Sequence, residues 1–91
     1  MGNHVYIQPV QVEVKLDRHL RCGDELIVEQ RAGARAGEWI IVEGDAGACV
    51  GLYSADAELT LHTLEAPPQM FSMKRENLNI RGVVIGMRSA L

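Results

Sequence analysis

The stretch Trp39-Ile40-Ile41-Val42-Glu43-Gly44-Asp45-Ala46-Gly47-Ala48-Cys49-Val50-Gly51-Leu52-Tyr53 decides the fold class. Its first four residues are aromatic and β-branched, the composition favoured in strands. Gly44-Asp45-Ala46-Gly47 is a turn signal. The apolar run from Ala48 to Tyr53 is the returning strand, so the whole stretch reads as a β-hairpin.

Strand signals continue on both sides of the hairpin. Toward the N-terminus, Cys22-Gly23-Asp24 marks a turn before a short strand, Glu25-Leu26-Ile27-Val28-Glu29. A connection with two glycines, residues 31–37, leads from there to Trp39. Further upstream, Val10, Val12, Val14 and Leu16 alternate with Gln11, Glu13 and Lys15, the period of a half-buried strand. Val5 and Ile7 precede them on the opposite parity, with Pro9 at the phase change. Toward the C-terminus, Ser54-Ala55-Asp56 turns the chain into alternating Leu59, Leu61 and Thr63. Pro67 and Pro68 make residues 65–69 an extended loop. Leu78 and Ile80 alternate with Asn79 and Arg81, and Val83-Val84-Ile85-Gly86-Met87 forms a terminal apolar strand. No stretch carries a sustained 3.6-residue period. The expectation is an all-β (mainly β) fold: one compact domain over residues 1–91, with six to seven short strands.

At 91 residues, 47% hydrophobic and 23% charged, the composition is that of a globular domain rather than a disordered chain. A domain of this size buries only roughly 60–65% of its unfolded surface, so covering an apolar face with a partner adds useful stability. The net charge is −3, and the nine Lys and Arg residues form no stripe. That argues against direct nucleic-acid binding by this chain. There is no apolar run long enough for a membrane span. Met1-Gly2 begins like a myristoylation motif, but Tyr6 stands where Ser or Thr is required. The expected location is cytoplasmic. Two isolated cysteines, Cys22 and Cys49, read as small buried hydrophobes, since no metal-ligand spacing accompanies them.

The order of four pieces carries a resemblance. They are Gly23-Asp24-Glu25-Leu26-Ile27-Val28, then Gly37-Glu38-Trp39-Ile40-Ile41-Val42, then Gly47-Ala48-Cys49-Val50-Gly51-Leu52, and finally Ile80-Arg81-Gly82-Val83-Val84-Ile85-Gly86. Together they resemble the C-terminal domain of LexA-like and phage repressors, a family of self-cleaving Ser–Lys peptidases. The resemblance covers roughly residues 10–88 and implies a LexA/signal-peptidase-like β fold. It also implies a catalytic serine about nine residues before the Gly of Gly-Asp and a lysine in the strand reading Cys49-Val50-Gly51-Leu52-Tyr53. The positions that match are Val14 and Gly51, so neither catalytic residue is present. No Ser or Thr occurs between Met1 and Cys22. The expectation is therefore a non-enzyme: an inactive relative needing no cofactor and no metal. The helix-turn-helix that precedes this domain in repressors is absent from these residues, leaving open a free-standing relic or an excised domain.

Dimerisation in the family runs through the C-terminal strand region, which corresponds here to residues 79–88. The implied interface residues are Ile80, Val83, Val84, Ile85 and Met87. Phe71 is a further candidate anchor on its extended loop, although it equally reads as tucked under that loop. The implied partner is a second copy (a homodimer) or a related repressor, with antirepressor or modulator roles open to a free-standing copy. Two other readings stand beside this one. The first is an active peptidase using Ser54, Ser72 or Ser89 with Lys15 or Lys74, all the serines and lysines the chain has. Within it, Ser72-Met73-Lys74 reads as loop. The second is an unrelated small β accessory or binding module. His4, His19 and His62 are too scattered to suggest a zinc site. Asp24 reads as a turn residue bonding nearby backbone N–H groups.

Overall fold

A computed structural model describes residues 3–90. Met1 and Gly2, the residues of the myristoylation-like start, lie outside the described residues. The strands are β1 (Val5–Pro9), β2 (Val14–Lys15), β3 (His19–Leu20), β4 (Glu25–Glu29), β5 (Trp39–Gly44), β6 (Gly47–Leu52), β7 (Glu58–Thr63), β8 (Met70–Lys74) and β9 (Ile80–Arg88). A single 3₁₀ turn, Arg75–Asn77, joins β8 to β9. No described helix is long and apolar enough to cross a membrane. The fold is all-β, as its hairpin and strand signals require.

Seven strands form one antiparallel sheet in the order β1-β4-β9-β5-β6-β7-β8, and β2 and β3 form a separate two-stranded ribbon. The expected hairpin is β5–β6, closed by Gly44 opposite Gly47. Because side chains alternate across a strand, the sheet buries two small cores, one on each face. On the first face, Leu26, Val28, Trp39, Ile41 and Val50 pack beneath Val10, Val14 and Leu20. On the second, Ile40, Val42, Cys49, Leu59, Leu61 and Val83 pack together, with Phe71, Met73, Leu78 and Ile80 around them.

Three local expectations are corrected. The alternating stretch from Val10 to Leu16 forms strand only at β2, and the strand to its N-terminal side is β1. The Val10 N–H is taken by the Asp24 carbonyl and the Gln11 N–H by the Leu64 carbonyl. The stretch therefore crosses over the first face instead of pairing along a neighbour. Ser72-Met73-Lys74 is not loop but part of edge strand β8, paired to β7 from Glu58↔Lys74 to His62↔Met70. Its alternation is masked in sequence because both parities carry a methionine, Met70 outward and Met73 inward, so no clean apolar-polar period appears. Cys22 is exposed, since its turn lies at the end of the sheet, while Cys49 is buried.

Candidate interaction edge

Open hydrogen-bonding edges are where a β domain meets other chains. The outer edges of the large sheet are β1 and β8, but a third opening exists inside it. β9 pairs with β4 from Val83 to Arg88, whereas it pairs with β5 only from Ile80 to Val83. Beyond Val83, no described strand covers the β5 side of β9. The chain entering β5 turns away at Gly37, and a cleft of about 340 Å³ fills the place that a longer β5 would take. Its walls are Gly37, Glu38 and Trp39 on one side and residues 84–87 on the other, with Asp17 and Arg18 from the β2–β3 turn closing the end. The Trp39 indole N–H donates to Asp17 Oδ1 at 2.6 Å, which holds the ribbon against the cleft.

The register shifts at this point. Ile27 pairs with Gly86 and Val28 with Val84, leaving Ile85 as the extra residue of a β-bulge. Ile85 is 53% exposed. Among the described residues the other exposed large apolar side chains are Val5 and Ile7 on β1, Met70 on β8, and Leu52. Apart from Leu52, exposed apolar surface thus gathers at open edges.

This arrangement corrects the expected interface. Val83 is fully buried in the second core and cannot meet a partner. Ile80 and Phe71 pack against that same core, and Val84 and Met87 pack against the first. Phe71 is tucked against its own domain rather than presented. Of the six expected residues, Ile85 alone is an exposed apolar side chain. The strand pairing expected along residues 79–88 is also shortened, because β5 already takes this side of β9 from Ile80 to Val83. The missing signal was the point at which β5 stops, which depends on where a loop leaves the sheet.

The two positions matched to the Ser–Lys dyad do not meet. Val14 packs in the first core with Val50 and Leu64. A Cβ built on Gly51 points instead at Leu61 Cδ2 and the Thr60 carbonyl, at 2.7 and 2.8 Å, and its register partners Ile40 and Leu61 belong to the second core. The sheet lies between the two positions. Counting offsets along a chain does not reveal which face a residue takes, and a one-residue slip reverses the face. Ala48 and Val50 are the β6 side chains packed in Val14's core, and neither ionises.

The remaining Ser–Lys pairings have identifiable surroundings. Lys15 and Ser54 border one cleft with Leu16, Asp17 and His62. The Ser54 hydroxyl there accepts the Asp56 N–H at 3.2 Å. Ser72 and Lys74 are exposed on β8, on the face away from Phe71 and Met73. Neither Ser54 nor Ser72 bonds to a lysine among the described residues, and both lysines are exposed. No family model, curated protein or solved structure matches this chain.

Two carboxylates near the candidate edge are held charged. The backbone N–H of Arg21, and then that of Ala90, keeps the Asp24 carboxyl below the usual carboxylate range. The Arg35 N–H, aided by the Arg31 guanidinium, does the same for Glu38. A lowered folded-state pKa stabilises the fold above the unfolded value of about 4, and this stabilisation disappears as pH falls through the folded values. Urea midpoints are expected to decline gently below about pH 6.5, where the unfolded His62 imidazole takes up a proton that the buried one resists, and to fall more steeply below about pH 4.5. The Asp24→Asn, Glu38→Gln double variant should show a shallower acid limb. A variant limb as steep as that of the wild type would overturn this assignment. Burial lowers the His62 pKa, which leaves the imidazole neutral at pH 7. Burial, with a smaller effect from Glu43, raises the Cys49 thiol, which stays protonated and unreactive.

Proposed function

We propose that this domain works by binding a second copy of itself through the open half of β9, as the oligomerisation part or a modulator of a LexA-like or phage-type repressor. The observation that carries the self-association is the one-sided segment at residues 84–88, with exposed Ile85 beside a cleft that another strand would fill. Antiparallel pairing of two such segments about a two-fold axis satisfies their free N–H and C=O groups and joins two sheets. Ile85 of each copy then has the cleft beside Trp39 of the other to enter. Asp17, Arg18 and Glu38 give the cleft both signs of charge, which an antiparallel copy can match. The other edges fit this role less well. β1 ends at Pro9, which has no N–H to donate, and β8 carries Lys74, a residue that discourages edge pairing. The repressor part of the reading rests on the order of the four pieces described above, and a cytoplasmic setting goes with it.

Sedimentation equilibrium at tens of micromolar tests the proposal. The wild type is expected to be a dimer. Ile85→Lys should weaken association roughly thirtyfold or more, the effect of losing a central interface anchor. Met70→Lys, on the far edge, should leave association unchanged. A wild type that stays monomeric, or equal loss in both variants, would sink the assignment.

A further inference from the structure

Beyond Val83, β9 has a strand neighbour on one side only and a bulge at Ile85, so this half of the strand depends on how its end is fastened. Contacts at Arg88 and Ala90 fasten it. Arg88 places Nε and Nη2 on Glu25 Oε1 at 2.8 and 2.7 Å, but both side chains are exposed, and such pairs contribute little. The Ala90 N–H donates to Asp24 Oδ1 at 3.0 Å. The Ala90 methyl group lies over Gly23, where an added Cβ would come within 3.1 Å of it.

Asp24 is built as a fixed post. It is 5% exposed, although Ala90, which it holds, is exposed. Its other carboxylate oxygen accepts the Arg21 N–H at 2.9 Å, its own N–H goes to the Arg21 carbonyl, and its carbonyl takes the Val10 N–H. The side chain therefore spans the β3–β4 turn and the end of β9, joining segments 66 residues apart in the chain.

We infer that Asp24 is a positioning residue for self-association: by fastening Ala90 to the β3–β4 turn, it keeps residues 84–88 extended and ready to pair. The inference rests on the self-association reading given above. If the fastened form is the one that binds, opening the fastening raises the apparent dissociation constant in proportion to the fraction open. Charge on the carboxylate strengthens both of its hydrogen bonds.

The test compares wild type, Asp24→Asn and Ala90→Pro by amide hydrogen exchange and sedimentation equilibrium. Ala90→Pro removes the donor at an exposed residue and leaves the Asp24–Arg21 bond in place, so it keeps the test valid even if Asp24→Asn fails to fold. Exchange at residues 85–89 is expected to speed up about tenfold in both variants while β5 and β6 keep their protection. The dissociation constant should rise roughly threefold to tenfold. Unchanged exchange at residues 85–89 in Ala90→Pro overturns the fastening itself. Faster exchange with unchanged dimerisation overturns its role in association. A monomeric wild type overturns the self-association reading and the coupling to it, and the exchange data then decide separately whether Asp24 fastens the strand.

Discussion

Replacing Gly82 with alanine is expected to lower the unfolding free energy by about 2–3 kcal/mol, a large part of the roughly 5–10 kcal/mol typical of a domain this size. Gly82 lies in β9 opposite Ile41. A Cβ there would stand 2.5 Å from Val28 Cγ1 and 2.7 Å from the Glu29 carbonyl oxygen. The valine has little rotamer freedom to yield, and the carbonyl belongs to the neighbouring strand backbone, so strands β4 and β9 must move apart. Gly86→Ala, four residues along the same strand, provides the control. Its nearest neighbour is Ile27 Cδ1 at 3.3 Å, the far end of a flexible side chain, and the cost should stay within about 1 kcal/mol. Urea denaturation of both variants checks this. Equal losses would show that general strand propensity, and not the close approach at Gly82, sets the effect.

The second large effect comes from building a dyad at the positions the repressor resemblance assigns. Val14→Ser with Gly51→Lys is expected to cost about 3–5 kcal/mol and to produce no self-cleavage. At Gly51 the lysine would displace Leu61 and press on the Thr60 carbonyl within an apolar core, while the serine would sit on the other side of the sheet. Leu52→Lys, at a partly exposed position one residue further on, should cost less than about 1 kcal/mol. Thermal unfolding and gel analysis after prolonged incubation at alkaline pH give both readouts. Cleavage in the double variant would show that the introduced serine and lysine can meet, overturning the opposite-face placement.

Much of this architecture can be read from local chemistry. The β5–β6 hairpin is written in Trp39-Ile40-Ile41-Val42 and its Gly44–Gly47 turn, and β7 in the alternation of Leu59, Leu61 and Thr63, because strand period and turn chemistry are properties of adjacent residues. Asp24 likewise takes the turn role its Gly-Asp setting requires. β8 was hidden, since Met70-Phe71-Ser72-Met73-Lys74 becomes a strand by pairing with β7 rather than by its own preference. Residues 10–16 mislead for the opposite reason: their period is that of a strand, yet their hydrogen bonds go to Asp24 and Leu64.

Residue order alone was enough to specify an all-β domain, to place most of its turns, and to rule out serine or lysine chemistry at Val14 and Gly51. Three features emerged only once the chain was folded. Val14 and Gly51 lie on opposite faces of the sheet, Val83 is core while Ile85 is surface, and β9 is covered on one side and open on the other beyond residue 83. The difference is one of range. Strand and turn preferences act between neighbours, whereas the face a residue takes and the point where an edge opens depend on register between segments tens of residues apart.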